Sequence, residues 1–279
     1  MPTLLITGAS GGLGTVLVQA FTEGGWHVCA VGRDPQRLDE LREHHGATLS
    51  PIVCDLNQPD AGEQALEEVR RVCPKLDALI NNAGIQGPMG LLWDTSEASW
   101  AEVLRINLLA PVALCRSAIP WMRETGGGSI VNLSGGGATG PRSHFTPYAA
   151  SKAALVRVTE TLAEECAPLG IRVNAVAPGA LNTAMLDEVL AAGPDKAGAK
   201  EFAAAQRRAA EGGDDPRRAA ACIRWLAGPE SAPITGRLIS AVWDRWETLS
   251  DKAADLSASD IYTLRRISAK DRGKPWDLA

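Results

Sequence analysis

The stretch Thr3-Leu4-Leu5-Ile6-Thr7-Gly8-Ala9-Ser10-Gly11-Gly12-Leu13-Gly14 decides the fold: a Leu-rich run breaks into a glycine-rich turn, and an apolar-periodic stretch from Val16 to Glu23 follows. A strand that turns through glycines into a helix aims the N–H groups of the first helical turn, and the helix dipole, at one point where a pyrophosphate is favoured. Tight turns of this composition also serve purely structural ends, so the weight of this one comes from its surroundings.

The same alternation continues outward. Strands are expected at Thr3–Thr7, His27–Val31, Leu49–Val53, Ala78–Asn81, Ser129–Leu133 and Ile171–Val176, with a last one at Arg237–Val242. Between them, Val16–Glu23, Gln36–His44, Glu63–Val72 and Ala149–Cys166 place apolar residues at three- and four-residue spacing, as helices covering a sheet do. Repeated βα units imply an α/β fold built on a doubly wound parallel sheet. Residues 1–244 are expected to form it, with an Ala-rich, glycine-punctuated helical insertion at about 184–215. No internal repeat shows beyond the βα units themselves.

With 45% hydrophobic and 22% charged residues in a chain of 279, disorder is not expected. A net charge of −5 argues against nucleic acid or anionic lipid as a partner. The six cysteines are dispersed, with no CxxC pair and no metal-ligand spacing, so they are read as buried small hydrophobes in a reducing compartment and no metal is expected. The first strand begins almost at Met1 and no apolar run is read as membrane-spanning, which gives the expectation of a soluble, cytoplasmic protein.

Three further motifs, Asn81-Asn82-Ala83-Gly84, Tyr148-Ala149-Ala150-Ser151-Lys152 and Pro178-Gly179 with Thr183, stand in order behind the glycine turn. Together they resemble the short-chain dehydrogenase/reductase family over roughly residues 3 to 183. The resemblance implies a Rossmann-like, doubly wound parallel sheet of about seven strands in a single α/β domain, a nicotinamide cofactor, a small carbonyl or alcohol substrate, and a homodimer or homotetramer. It assigns Gly8, Ser10, Gly12, Leu13 and Gly14 to the phosphate turn. Asp55 with Leu56 falls at the adenine, Asn81, Ala83 and Gly84 at the adenosine side, and Pro178, Gly179 and Thr183 at the nicotinamide end. Tyr148 becomes the acid/base, Lys152 the partner that lowers the phenol pKa and holds the nicotinamide ribose, and Asn107 the holder of a water in a proton relay.

The residues support that chemistry independently. Four apart on one helical face, Lys152 and Tyr148 lie within reach of each other. Bringing a phenol of pKa about 10 near neutrality takes roughly 4 kcal/mol, which is about what one cation supplies at about 4 Å and an effective dielectric of about 20. An exposed surface pair is the commoner fate of a bare YxxxK, and the surrounding motifs decide against it here. After the second strand the chain reads Val31-Gly32-Arg33-Asp34, so glycine stands where NAD enzymes place a carboxylate and Arg33 follows to meet a 2′-phosphate. NADP(H) is therefore expected over NAD(H), with Gly11 lacking the second basic residue of many NADP relatives and Asp34 capping the next helix.

One position departs from the family. Its substrate-orienting serine stands thirteen residues before the tyrosine, which here is Gly135; Ser134 is taken as the replacement, with Ser143, His144 and Thr146 as other candidates. The expected activity is hydride transfer between NADP(H) and a carbonyl or secondary alcohol. A cofactor-binding regulator without turnover is the alternative, motivated by Gly135. A sugar-nucleotide epimerase or dehydratase is set aside because Gly8, Gly12 and Gly14 do not spell its TGxxGxxG turn. Residues 245–279 form an extension whose aromatics call for docking, either on the core or a neighbouring subunit, or over the substrate cleft with Arg265, Arg266 or Arg272 facing an anion.

Overall fold

A computed structural model describes residues 1–277; residues 278 and 279 of the extension lie outside the described residues. Seven strands form one all-parallel sheet in the order β3-β2-β1-β4-β5-β6-β7: β1 (Thr3–Thr7), β2 (His27–Gly32), β3 (Leu49–Val53), β4 (Ala78–Asn81), β5 (Gly128–Leu133), β6 (Ile171–Ala177) and β7 (Leu238–Ser240). The expected strands are all present. The last spans three residues rather than six, because after Ser240 the chain turns away, with Ser240 N–H donating to the Asp244 carboxylate at 2.7 Å.

Residues of β1 alternate between two apolar layers. Leu4 and Ile6 pack with Leu17, Phe21, Ile223 and Leu226 of helices α1 (Gly12–Glu23) and α9 (Pro216–Ala227). Leu5 faces Leu66, Val69, Leu114 and Ala163, from α3 (Ala61–Val72), α5 (Ala110–Glu124) and α6 (Thr146–Cys166). Helix α2 (Pro35–His45) begins as the sequence indicated, the Asp34 carboxylate accepting from the N–H groups of Gln36 and Arg37. Because the chain leaves β1 for β2 on one side and returns to β4 on the other, the carboxyl ends of β1 and β4 open a crevice at the switch of direction.

Helix α4 (Glu97–Leu104) runs through one π turn (Arg105–Leu109) into α5. No membrane-spanning run was expected, yet by length and composition Glu97–Glu124 is long and apolar enough to cross a bilayer. Its apolar side is spent on the core, with Leu114, Ala118 and Met122 fully buried. Helices α7 (Ala184–Ala197) and α8 (Ala199–Glu211) occupy the predicted insertion and pack on the start of α6 through Leu186, Val189, Ala197 and Ala205.

The extension lies against the sheet edge and the back of α6. Trp246 is buried beside Trp225 and donates to the Ala241 carbonyl at 3.2 Å. Arg237 donates to the carbonyls of Leu256, Ser259 and Ile261, and Leu238 N–H on the free edge of β7 donates to Tyr262 O at 2.8 Å. On α6, Glu160 accepts from Leu264 N–H at 2.6 Å. Arg265 is engaged with Asp260 and Asp271 at 2.5 and 3.0 Å. The expectation that the aromatics would be covered holds for Trp246 but not for Trp243 and Trp276, which are 84% and 77% exposed. Trp243 sits in the turn after β7, where the chain direction is fixed by Asp244 rather than by burial.

Five cysteines are buried as expected; Cys54 is half-buried, its thiol donating to Ala61 O at 3.3 Å. Although sequence spacing indicates no ligand cluster, the packing of α3 on the sheet brings His27, Cys29 and Cys73 together, ligand atoms within 4.8 Å of one another. Burial holds the Cys29 thiol strongly toward its protonated form, and His27 Nε2 shares a hydrogen bond with Ser50 Oγ at 3.0 Å.

Candidate active site

The glycine turn is closed by its own backbone. Gly8 adopts the left-handed region at φ +65°, and a Cβ there would stand 2.9 Å from Ala83 Cα; at Gly14 one would overlap the Gly8 carbonyl, and at Gly12 it would meet Thr183 Cγ2 at 2.7 Å. Thr7 Oγ1 accepts from the N–H groups of Asn82 and Ala83, each at 3.0 Å, while the Asn82 amide donates to the carbonyls of Thr7 and Gly8 at 2.9 and 3.2 Å. These bonds stitch the ends of β1 and β4 together beside the crevice. Gly11 caps α1 with no side-chain oxygen, so the first-turn N–H groups stay available to an anion. Leu13 is buried in the core, so toward that anion it presents only its backbone.

A side chain at Gly32 would begin 3.0 Å from Ser10 Oγ, so a carboxylate there would have to push the serine hydroxyl aside. Arg33 is exposed and makes no ion pair or hydrogen bond among the described residues. Arg37, which the sequence reading passed over, lines a cavity of about 300 Å³ with Ser10, Thr15, Glu40 and Leu41, and lies 3.5 Å from Asp34. Its signal was available: it is the third residue of a helix whose N-terminus faces the same crevice.

On the far side, Asp55 shapes its own turn, accepting from Asn57 N–H at 3.0 Å and Gln58 Nε2 at 3.3 Å, while Leu56 is buried. Asn81 turns its amide into the sheet, donating to Asn132 Oδ1 at 2.8 Å and leaving its own Oδ1 without a partner. The amide that reaches the glycine turn is that of Asn82. Beyond Pro178, Gly179 takes φ +98°, and Asp214 accepts from Ala180 N–H at 2.6 Å, which fixes the loop leading to Thr183. A cavity of about 410 Å³ joins Gly12 and Leu13 to Asn182, Thr183 and Asp214.

Helix α6 opens with Thr146 and Pro147, whose fixed φ suits a first turn, and carries Tyr148, Ser151 and Lys152 buried on one face. Lys152 Nζ donates to the Leu133 carbonyl at 2.7 Å and lies 5.8 Å from the Tyr148 ring centre. Burial pulls its ammonium down to about 8. The π turn sets Asn107 inward: Oδ1 accepts from Ile85 N–H at 2.9 Å, and Nδ2 donates to Ile85 O at 2.9 Å and Ser151 Oγ at 3.1 Å. Ser151 Oγ in turn donates a hydrogen bond to the Tyr148 carbonyl at 2.7 Å. A Cβ at Gly84 would stand 3.3 Å from Asn107 Oδ1 and 3.5 Å from Lys152 Nζ, so glycine keeps the space between amide and ammonium open.

The tyrosine itself departs from expectation in two respects. Burial raises its pKa against a lowering by Arg142, so the phenol lies above its ordinary value and is protonated at neutral pH. The ammonium expected to lower it is engaged by Leu133 O. Second, Gly135 is the residue that abuts the phenol, a Cβ there overlapping Oη and standing 3.1 Å from Cζ. Ser134, taken as the replacement serine, continues the β5 ladder through its N–H to Val176 O at 2.8 Å, and its buried hydroxyl has no partner. Adjacent residues of extended chain face opposite ways, so the side facing Tyr148 belongs to position 135. Of the other candidates, Ser143 is exposed and His144 Nδ1 lies 2.9 Å from Lys196 O.

Comparison with known proteins gives the arrangement relatives. The family profile described as short chain dehydrogenase matches residues 2–193. A 3-oxoacyl-[acyl-carrier-protein] reductase FabG of Thermotoga maritima is 34% identical over 238 residues, 84% of this chain and 94% of that protein. Among solved structures, a 3-ketoacyl-(acyl-carrier-protein) reductase from Brucella melitensis complexed with NADH superposes with a TM-score of 0.75 at 27% identity, covering 86% of this chain and 96% of that one. ElxO with NADP bound gives a TM-score of 0.75 at 26% identity, with the same coverage of 86% and 96%.

Proposed function

The chain belongs to the short-chain dehydrogenase family, and from that premise we propose that it is an NADP(H)-dependent oxidoreductase that interconverts a carbonyl and a secondary alcohol, with Tyr148 as its acid/base. The glycine cradle, the uncapped start of α1, Arg37 beside Ser10 and the exposed Arg33 after β2 fit a dinucleotide with a 2′-phosphate. Gly8, Ser10, Gly12, Leu13 and Gly14 would hold its pyrophosphate, Arg33 and Arg37 the 2′-phosphate, and Thr183 the nicotinamide end. Bound there, the nicotinamide supplies or takes up the hydride.

The chain's own residues handle the proton. In reduction, Tyr148 Oη donates its proton to the carbonyl oxygen, for which a phenol protonated at neutral pH is the right starting state. The resulting phenolate is re-protonated from the side of Lys152, through the space that Gly84 leaves between that ammonium and Asn107 Oδ1. Asn107 also braces the helix through Ser151, which fixes where Oη stands. Helices α7 and α8 cover Tyr148 with carbon and exclude water. The observation that carries the reading is the meeting of Lys152 Nζ, Asn107 Oδ1 and Gly84 beside the buried Tyr148, whose ring centre lies 5.8 Å from Nζ.

A homodimer or homotetramer is proposed from the exposed Leu92, Trp93 and Leu109 around α4 and α5, and a cytoplasmic location from the six unpaired thiols. The test is a screen of aldehydes, ketones, keto sugars and acyl thioesters that follows NADPH absorbance. Turnover of one class supports the reading. Tight NADPH binding with turnover of none overturns it in favour of a regulator.

A further inference from the structure

Tyr148 is faced by a cation that no motif predicts. Arg142, in the segment between β5 and α6, places its guanidinium carbon 3.8 Å from the centre of the Phe145 ring and 5.6 Å from that of Tyr148. The side chain is only 16% exposed. Its other side is fixed by Glu201 of α8, which accepts from Nε at 3.0 Å and lies 2.9 Å from Nη2. The glycines upstream make room for it: a Cβ at Gly137 would stand 3.2 Å from Arg142 Cβ, and one at Gly136 3.8 Å from Cδ.

Of the other polar groups nearby, Lys152 Nζ lies almost as close, 5.8 Å from the ring centre. Lys152 Nζ is held by Leu133 O, Ser134 Oγ has no partner, and Gly135 offers no side chain to the phenol it touches. From α7 and α8, Leu186, Val189, Ala197 and Ala205 present only carbon to the cluster that contains Tyr148. Besides Lys152, the charged groups around the ring are Arg142 itself, Glu201, which pairs with it, and Arg208 of α8, which repels it. A guanidinium keeps its charge throughout the range in which a phenol titrates, and over an aromatic face it favours the anionic form of that ring.

We propose that Arg142 is the electrostatic partner of Tyr148, supplying from the β5–α6 segment the polar influence that no side chain exerts at Gly135. The inference rests on Tyr148 being the proton donor. Arg142 is then a positioning and charge-setting residue: it steadies the phenolate left when the proton has gone to the substrate oxygen. Its tie to Glu201 makes that influence depend on α8 being docked.

The chain contains two tyrosines, Tyr148 and Tyr262, so the claim is open to a measurement that needs no substrate. In a Tyr262→Phe background, phenolate absorbance near 295 nm reads Tyr148 alone. The ionisation midpoint is expected to move to higher pH in Arg142→Gln, which keeps a hydrogen-bonding end for Glu201 but loses the charge, and to return toward the parent in Arg142→Lys. Arg142→Met serves as a second neutral variant should Arg142→Gln not fold, with far-UV circular dichroism followed across the same range. A midpoint unmoved or lowered by the neutral variants overturns the inference whatever the substrate screen finds. Failure of that screen with the shift present overturns the oxidoreductase reading and leaves the Arg142–Tyr148 pairing standing.

Discussion

The Tyr148 hydroxyl stands where a side chain at Gly135 would begin, so close that a Cβ built on that glycine overlaps Oη. Glycine at 135 is thus a steric requirement of the way Tyr148 sits, and not merely the loss of a serine. Gly135→Ala is expected to displace the phenol and lower kcat/KM by at least about tenfold, some 1.4 kcal/mol, with NADPH affinity unchanged. Ser134→Ala, which removes a hydroxyl with no hydrogen-bond partner among the described residues, should cost less than about tenfold. Parallel steady-state kinetics and cofactor fluorescence decide; full activity in Gly135→Ala contradicts the geometry.

The proposed preference for NADP(H) rests on Arg33 and Arg37. A Cβ at Gly32 would stand 3.0 Å from Ser10 Oγ, and the cavity beside Ser10 is lined by Arg37. Arg37→Ala and Arg33→Ala should each lower the NADPH to NADH ratio of kcat/KM, the double variant by at least about tenfold. A ratio unchanged in the double variant refutes the assignment.

Lys152 gives a pH dependence of definite sign. Its ammonium is pulled from an ordinary 10.5 down to about 8, so between those values the unfolded chain holds a proton that the folded chain lacks, and stability rises with pH across the window. Lys152→Met removes the cost of the buried charge. It should stabilise the protein most below about pH 8, by an amount on the order of 3 kcal/mol at the upper limit, and progressively less toward pH 10.5. Urea unfolding of both proteins at several pH values measures this; a difference independent of pH contradicts it.

The extension should matter for stability. Truncation after Asp244 strips Trp246, Leu249 and Leu256 from the core and leaves Arg237 without its carbonyl acceptors. A loss of roughly 3 kcal/mol or more is expected from the apolar burial alone. A truncated protein with an unchanged Tm removes the basis for the docking described.

Local rules made much of this legible in advance. The strands from Thr3 to Ala177, the Asp34 cap and the turn through Gly8, Gly12 and Gly14 follow from periodicity and glycine placement within a few residues. What stayed hidden depends on contacts between distant segments. The π turn that sets Asn107 inward has no composition of its own, and the inward turn of Asn81 against Asn82 depends on Asn132, which lies 51 residues along the chain. Arg142 meets Glu201 across 59 residues, and His27, Cys29 and Cys73 meet only through the packing of α3 on the sheet. The sequence does not show which face of the β5 end meets Tyr148, and that face belongs to Gly135 rather than Ser134.

The central claim, that Tyr148 is the proton donor of a nicotinamide-dependent oxidoreductase, is tested most directly by Tyr148→Phe. Single-turnover reduction and NADPH affinity are measured side by side on the best substrate from the screen. The account predicts a loss of about 10²- to 10⁴-fold in rate with cofactor affinity nearly intact, because only the proton donor is removed. A Tyr148→Phe protein that reduces its substrate at a near-normal rate would contradict it.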